Sequence, residues 1–237
     1  MDKQNQILHD LHEQLEMLKR NWPELANYLQ VTDHKGNTLW QQVEQIYLEH
    51  GQTVRPLAKD LFNAFSIPLT QVKVVIVGQD PYASDHAHGL AFSSAMDRDI
   101  PKSLQNIFLA LKNDFGEEYQ PHVKGKANLQ PWVEQGVLLL NTRLTVEIGC
   151  PLNPLHDIWQ EFINLAFNLL AQKSHLVYLL WGKHAQSFAS HVNAQLNLIL
   201  KAPHPSPLSA YRGFFTCGCF KQTNQYLLEI GQSTILW

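Results

Sequence analysis

Hydrophobic residues in the first part of the chain recur at helical spacing. Between residues 8 and 18, four leucines lie three or four positions apart, a spacing that places side chains on one face of an α-helix. The stretch NTLWQQVEQIYLEH continues this period, and RPLAKDLFNAF predicts a further short helix. The residues of that short helix predicted to face inward are Leu57, Leu61, Phe62 and Phe65. Residues 1–65 are therefore predicted to form a helical portion packed on a central sheet.

Four nearly continuous apolar runs follow the helical portion. They are VKVVIV (72–77), GVLLLN (136–141), LVYLLW (176–181) and LNLILK (196–201). Continuous rather than alternating apolar residues are typical of parallel strands covered on both faces. Helical patterns separate most of the runs, and this alternation predicts an α/β fold with a central, mainly parallel four-stranded sheet flanked by helices.

Two of the intervening helices have candidate N-terminal caps. Ser103 precedes LQNIFLALKNDF, which is predicted to stop at Gly116, because glycine is favoured just after a helix end. Asp157 precedes IWQEFINLAFNLL, whose apolar residues fall on one side of a helix. Ser103 and Asp157 are therefore predicted to be the N-caps of these helices.

Composition and charge limit the class of protein. A chain of 237 residues, 45% hydrophobic and 16% charged, suits a single globular domain spanning 1–237. It contains no apolar stretch near the roughly 20 residues that span a bilayer, and its start lacks a signal-peptide core. The formal net charge of −3 argues against a general basic DNA coat protein. The sequence predicts a cytoplasmic, monomeric protein that inserts into no membrane.

The cysteines and a histidine pair give weak signals for metal binding. Cys150, Cys217 and Cys219 are an odd set without framework spacing, which favours reduced thiols. Three thiolates are one short of a closed four-cysteine site, so small buried residues are the preferred interpretation. His86 and His88 are expected to be structural or exposed. The sequence predicts no metal and no cofactor.

Polar side chains follow each predicted strand. Asp80 and Tyr82 come after the first run, Asn141 ends the second, His184 follows the third and His204 follows the fourth. In open α/β sheets, ligands bind outside the carboxyl ends of the strands. Each residue alone has an ordinary explanation as a helix cap or a turn residue. Together they predict one functional site.

Several motifs around these residues occur in the order found in a known family. They are GQDPY, HGLAFS, LLLN, WGKHAQ, HPSPLSAYRGFF and NQYLLEIGQ. With these motifs, the chain from about Trp40 to Trp237 resembles the family-1 uracil-DNA glycosylases. The resemblance implies excision of uracil by hydrolysis of its N-glycosidic bond, without metal or cofactor. The implied partners are uracil-containing single- and double-stranded DNA and a DNA-mimicking protein inhibitor.

The resemblance implies two catalytic residues. Asp80 would orient the attacking water and stabilise positive charge on the sugar, and His204 would donate a hydrogen bond to the uracil oxygen that gains negative charge. Cleavage of such a bond builds an oxocarbenium-like sugar. A fixed carboxylate and a fixed donor complement that charge separation.

A second implied set contacts the base. Asn141 would read the uracil edge, since its amide offers both an acceptor and donors. Phe92 would stack on the ring, and Tyr82 would fill the space where thymine carries a methyl group. Gln79 is a further implied substrate-binding residue.

A third implied set contacts DNA. Leu208 would enter the duplex in place of the extruded nucleotide, since a base inside a duplex must be flipped to be reached. Ser103, Ser206 and Ser209 would bind phosphates. We expect Lys102 and Lys183 to add phosphate contacts.

The chain departs from the family pattern in the loops around the implied site. Ala83 follows GQDPY where the family has a histidine. Pro154 lies near the position of a further family histidine, with His156 close by. Lys102 and Lys183 stand where the family has small or neutral residues.

These departures keep a second hypothesis open: a catalytically weakened DNA-binding or adaptor protein that retains the fold. The presence of both Asp80 and His204 argues against it, because a pure binder has no need of that pair. A glycosylase with a shifted base preference is disfavoured by Tyr82 and Asn141.

Overall fold

The structure, a computed structural model, describes residues 2–150 and 153–237, without the side chains at positions 154 and 155. The α-helices are α1 (Lys3–Asn21), α2 (Pro23–Leu29), α3 (Leu39–His50), α4 (Lys102–Phe115), α5 (Gln130–Val133), α6 (Gln160–Ala171), α7 (Gly182–Ser187) and α8 (Cys219–Glu229). The strands are β1 (Val54–Arg55), β2 (Val74–Gly78), β3 (Val137–Asn141), β4 (Val146–Glu147), β5 (Val177–Trp181) and β6 (Leu198–Ala202). Among the described helices, none combines the length and apolar character needed to cross a membrane.

The central sheet contains the four predicted strands. Within the described residues its order is β3-β2-β5-β6 and each neighbouring pair is parallel. Every residue of β2, β3 and β5 is buried, as their continuous apolar runs predicted. The strand β6 lies at the sheet edge and is only partly buried, with Lys201 exposed. Burial of this fourth strand on both faces was therefore a wrong expectation, while its position and direction are confirmed.

Helices α1 and α3 confirm the N-terminal helical pattern. The buried face of α1 contains Leu11, Leu15 and Leu18. At the start of α3, the Thr38 hydroxyl accepts a hydrogen bond from the Gln41 backbone N–H at 3.1 Å. The Gln41 side chain in turn accepts one from the Thr38 N–H at 2.9 Å. This reciprocal pair satisfies two of the donors that a helix start leaves unpaired.

The segment RPLAKDLFNAF forms short 3-10 turns rather than the predicted helix. The turns are Ala58–Asp60 and Asn63–Ser66. The Gln14 side chain of α1 donates to the Lys59 carbonyl at 2.6 Å and accepts from the Phe62 N–H at 2.8 Å. Because α1 supplies partners for these backbone groups, the segment has no need of continuous helical hydrogen bonds.

Burial in this segment follows the prediction except at its first residue. Leu61, Phe62 and Phe65 are almost fully buried, whereas Leu57 is 42% exposed. Leu57 precedes the first 3-10 turn, so it does not share the face that a continuous helix would have given it.

A small antiparallel pair, β1 with β4, was not predicted. Val54 lies opposite Glu147 and Arg55 lies opposite Val146. Two-residue strands are too short to produce a period in the sequence. This pair joins the N-terminal portion to the segment that follows β3.

The predicted cap at Ser103 is wrong, although the end of that helix is correct. Helix α4 begins at Lys102 with Pro101 at the N-cap position, and no side chain caps it. Ser103 lies inside the first turn. The helix stops before Gly116, as predicted, and the Gly116 N–H donates to the Lys112 carbonyl at 2.7 Å.

The predicted cap at Asp157 is also wrong. A 3-10 segment, Pro154–Trp159, precedes α6, which begins at Gln160. The Asp157 carboxylate instead pairs with the guanidinium of Arg143. A tertiary ion pair, rather than the local helix start, therefore decides where this side chain points.

The three cysteines are free, as expected of reduced thiols. Cys219 is buried, Cys217 is half-buried and Cys150 is exposed, so the expectation of three buried residues holds only for Cys219. In residues 2–150 and 153–237, no group of three or more His, Cys, Asp or Glu side chains is arranged to hold a metal.

Candidate active site

A cavity of about 220 Å³ opens where β2 and β3 end. Its lining includes seven of the residues singled out by sequence: Gln79, Asp80, Tyr82, Phe92, Ser103, Asn141 and His204. The cavity is smaller than the several hundred Å³ typical of drug-sized ligands, and its size suits one pyrimidine ring. Residues scattered over half the sequence thus meet at one edge of the sheet.

Two glycines let the backbone approach the cavity closely. Gly78 lies opposite Asn141 in the parallel register, and a Cβ atom at Gly78 would lie 2.3 Å from the Asn141 Oδ1. Gly182 has a φ of +83°, and a Cβ atom there would lie 2.8 Å from the His204 Cβ. Any side chain at either position would displace a residue of the cavity.

Asn141 presents its amide group to the cavity. The residue is only 5% exposed, and its amide forms no hydrogen bond with the described parts of the chain. Its donors and acceptor are therefore available to a ligand that fills the cavity.

Aromatic rings form one side of the cavity. Phe92 has a φ of +64°, a conformation that non-glycine residues seldom adopt. The Tyr82 hydroxyl donates to the Phe92 carbonyl at 3.1 Å and helps to hold this turn. The Phe92 ring lies 5.5 Å from Trp181 and 5.7 Å from His204, measured between ring centroids. Phe92 is thus supported from behind while it lines the cavity.

His204 is positioned as a neutral hydrogen-bond donor. Its Nδ1 accepts a hydrogen bond from the Ser206 backbone N–H at 3.0 Å, so the ring proton of a neutral imidazole lies on Nε2. Burial lowers the pKa of His204 below its ordinary value, which keeps the ring neutral near pH 7. The residue can therefore donate from Nε2 without carrying a positive charge.

Asp80 follows β2 at the lip of the cavity, and 34% of its side chain is exposed. Burial raises the pKa of the Asp80 carboxyl, whereas the positive charge of Arg143, and that of His184 when it is protonated, act in the opposite direction. The Asp80 Oδ1 lies 3.6 Å from the Arg143 Nε. The base-sized cavity is therefore lined by a carboxylate that has a cationic neighbour.

The loop after β6 carries the predicted DNA-contacting residues. Leu208 is 82% exposed. The hydroxyls of Ser206 and Ser209 lie 3.0 Å apart, and the Ser209 hydroxyl donates to the His204 carbonyl at 2.8 Å. Asn106 of α4 donates to the Pro205 carbonyl at 2.7 Å. These bonds fix the loop and leave the leucine projecting into solvent.

The two predicted phosphate-binding lysines are exposed and lie on different helices. Lys102 is the first residue of α4, beside Ser103. Lys183 lies in α7 and lines a neighbouring cavity together with His204. Neither side chain lines the base-sized cavity.

The histidine pair after GQDPY is structural, as expected. The His88 Nε2 lies 2.7 Å from the Ser93 hydroxyl, and His86 Nδ1 lies 2.8 Å from the Ser94 hydroxyl. Burial lowers the pKa of His88 to about 4. His88 therefore stays neutral at working pH and braces the turn behind the cavity.

Sequence reasoning missed Arg143 and the link between His184 and Thr142. The His184 Nε2 lies 2.7 Å from the Thr142 hydroxyl, and Arg143 contacts Asp80. The available signal was position alone, because Thr142 and Arg143 directly follow Asn141 at the end of a predicted strand. Pro154 is one of the positions where the sequence departs from the family pattern, and its side chain lies outside the described residues. Two residues further on, His156 is buried, and its Nδ1 lies 2.8 Å from the Thr145 hydroxyl.

Comparison with known proteins agrees with this geometry. Residues 65–228 match the family model of the Uracil DNA glycosylase superfamily. A curated relative from Actinobacillus succinogenes, named Uracil-DNA glycosylase, is 45% identical over 190 residues, covering 79% of this chain and 84% of the relative. A relative of the same name from Shewanella oneidensis is 44% identical over 190 residues, covering 79% and 86%.

Solved structures extend the likeness to the fold. Mimivirus uracil-DNA glycosylase superposes with a TM-score of 0.79 at 25% sequence identity, covering 94% of this chain and 88% of that chain. A variant of mimivirus UNG, solved in complex with UGI, gives a TM-score of 0.76 at 26% identity, covering 91% and 87%. The chain belongs to the uracil-DNA glycosylase superfamily, and the matched region contains the whole base-sized cavity.

Proposed function

We propose that this protein removes uracil from DNA by hydrolysing its N-glycosidic bond, which releases free uracil and leaves an abasic site. The observation that carries the proposal is the cavity of about 220 Å³ that brings Asp80, Asn141 and His204 together. A carboxylate, an amide and a neutral imidazole then surround a space that fits a pyrimidine. Membership of the superfamily supports the same activity.

Asp80 acts on the sugar. As the bond to the base lengthens, the sugar gains oxocarbenium character and positive charge. An ionised Asp80 stabilises this charge and orients the water that attacks the sugar carbon. The carboxylate lies two residues beyond the end of β2, and the preceding residue, Gln79, accepts a backbone hydrogen bond from Arg143 at 3.0 Å, which ties this turn to the segment after β3.

His204 and Asn141 act on the base. The Nε2–H of His204 donates to the uracil oxygen on which negative charge develops. A neutral donor suits this role, because the base leaves as an anion and is stabilised by a hydrogen bond rather than by the transfer of a proton. The unpaired Asn141 amide hydrogen-bonds the uracil edge, and one amide orientation suits uracil and opposes cytosine.

Tyr82, Phe92 and Gln79 complete the pocket. Phe92 stacks on the ring, while Tyr82 occupies the space beside the ring carbon that carries a methyl group in thymine. The hydrogen bond from Tyr82 to the Phe92 carbonyl stiffens both side chains. Gln79 lines the same cavity and contributes a further substrate contact.

The exposed loops bind DNA. Leu208 enters the duplex when the uracil nucleotide is flipped out. Ser103, Ser206 and Ser209 hydrogen-bond phosphates, and Ser103 lies in the first turn of α4, where backbone N–H groups favour anions. Both single-stranded and double-stranded DNA that contain uracil are substrates. Because a mimivirus relative was solved with UGI, we extend the proposal to a DNA-mimicking protein inhibitor that covers this face.

Both Asp80 and His204 line the cavity, which supports turnover over a binding-only role. A base-release assay tests the proposal with oligonucleotides that differ only in one base: uracil, thymine or cytosine. We expect free uracil from the first substrate alone, with Asp80→Asn as the control for a contaminating enzyme. If the protein bound DNA but released no base even when it was in excess over the DNA, the result would contradict the proposal. It would instead support a DNA-binding protein without catalytic activity.

A further inference from the structure

Arg143 lies against Asp80 on the side away from the base. The base-sized cavity is lined by Asp80 but not by Arg143. A second cavity of about 280 Å³ is lined by both residues and by Asp157 and His184. Asp80 thus forms the wall between the two cavities. Arg143 can reach the carboxylate without touching a base bound in the first cavity.

The backbone fixes this arrangement. The Thr142 N–H donates to the Gly78 carbonyl at 3.1 Å, and the Arg143 N–H donates to the Gln79 carbonyl at 3.0 Å. These bonds continue the parallel ladder of β2 and β3 beyond the strands themselves. The backbone of Arg143 is therefore tied to the residue that precedes Asp80.

The guanidinium of Arg143 contacts two carboxylates. Its Nε lies 3.6 Å from the Asp80 Oδ1, and its terminal nitrogen pairs with Asp157. Only 23% of the Arg143 side chain is exposed, so solvent screens these pairs less than it screens pairs at a fully exposed surface. The planar guanidinium has enough donors for both partners.

We propose that Arg143 is a positioning residue for Asp80, held between the Asp80 and Asp157 carboxylates so that Asp80 stays ionised and correctly directed during uracil excision. This role rests on the proposed function, since it assigns Arg143 to the same reaction. Arg143 does not line the base-sized cavity, and its proposed role is to act through Asp80.

The charge balance explains why two carboxylates are present. An arginine beside Asp80 keeps the carboxylate ionised, yet its own positive charge opposes the positive charge that develops on the sugar. Asp157 offsets that charge, so the three groups together carry one net negative charge. Two histidines, His156 and His184, also line the second cavity. Burial lowers the pKa of each, so both are mainly neutral near pH 7.

Removing the charge of Arg143 and removing the charge of Asp157 should shift the pKa of Asp80 in opposite directions, which distinguishes this role from a purely structural one. The charge of Arg143 lowers the pKa of Asp80, whereas the charge of Asp157 raises it. Arg143→Gln should therefore raise the pKa of Asp80, and Asp157→Asn should lower it. A general loss of packing would not move the pKa in opposite directions in the two variants.

The test uses the full-length protein with ¹³C-carboxyl-labelled aspartate, titrated by NMR without DNA. The Asp80 signal is assigned with Asp80→Asn. Arg143→Lys retains the charge and should titrate close to the parent. Arg20→Gln, which alters an exposed arginine in the last turn of α1, is the matched control and should leave the Asp80 titration in place.

Single-turnover uracil release measured against pH gives the second readout. Asp80 must be ionised, so activity falls as pH drops through its pKa, and Arg143→Gln should move this fall to higher pH. On the acid side, the rate should fall below that of the parent at the same pH, because a smaller fraction of Asp80 is then ionised. At alkaline pH, where Asp80 is ionised in both proteins, Arg143→Gln should lose less activity. In Asp157→Asn, the acid-side fall in activity should move to lower pH.

An unchanged Asp80 titration in Arg143→Gln would overturn the proposal, as would shifts of the same sign in both variants. A flatter salt dependence of DNA binding with an unaltered pH profile would also overturn it and make Arg143 a phosphate contact. If the parent released no uracil, the proposed function would fail, while the NMR titration would still decide whether the three charges are coupled.

Discussion

The two sides of the site differ in how firmly the protein holds them. On the base-facing side, Asn141 is 5% exposed and lies in register with Gly78 at a strand end. On the DNA-facing side, Leu208 is 82% exposed and Lys102 and Lys183 are exposed as well. The proposed base contacts are thus made by groups that are buried and held in register at strand ends. The proposed DNA contacts are made by exposed groups, and we expect each of them to contribute little by itself.

The sharpest test of this contrast removes the two proposed catalytic groups on the base-facing side. Asp80→Asn and His204→Ala should each lower single-turnover uracil release by about 10²–10³-fold, because both groups act on charge that develops in the transition state. Thermal unfolding should change little. Near-parental rates in both variants would contradict the assignment of the catalytic residues.

Tyr82→Ala enlarges the base-sized cavity and leaves Asp80 and His204 unchanged. The variant should gain measurable thymine release, because the space beside the ring carbon then admits a methyl group. Discrimination against a methyl group in a pocket is worth about 10–200-fold, so the ratio of uracil to thymine release should fall within that range. Uracil release without any thymine release would show that the exclusion of thymine lies elsewhere.

Leu208→Ala tests the exposed side. We expect about a tenfold loss of uracil release on duplex DNA, equivalent to about 1.4 kcal/mol, and a smaller loss on single strands. Only a duplex resists extrusion of the base, so only there does a wedge help. Equal losses on both substrates would argue against the wedge role.

The smallest effect is expected from the two lysines. Changing Lys102 to Pro and Lys183 to Ser together should flatten the slope of log affinity against log salt by up to about 1.4–1.8, since each neutralised phosphate contributes about 0.7 on single strands and 0.9 on duplexes. Binding to an uncleavable uracil analogue across a salt series measures this slope. Preference for uracil should not change, because phosphate contacts carry no sequence information. A slope equal to that of the parent would make the lysines ordinary surface residues.

The features predicted correctly from sequence are those with a local cause. Continuous apolar runs predicted the strands, and the polar residues after them predicted where the cavity lies. The short 3-10 turns near Phe62 were not predictable, because the bonds from Gln14 that replace helical bonds come from a distant helix. A tertiary pair with Arg143 likewise drew Asp157 away from its expected role as a cap. Arg143 itself was missed because its partners are distant in sequence and its position belongs to none of the recognised motifs.

The fate of the attacking water tests the central claim most directly. Excess enzyme is mixed with a duplex that carries one uracil, in water enriched in ¹⁸O. The masses of the products are then measured by mass spectrometry under conditions that limit exchange of the sugar oxygen. If Asp80 directs water at the sugar, the heavy oxygen will appear in the abasic strand, and the free uracil will keep its ordinary mass. Intact DNA after prolonged incubation, or heavy oxygen in the released base, would contradict the account.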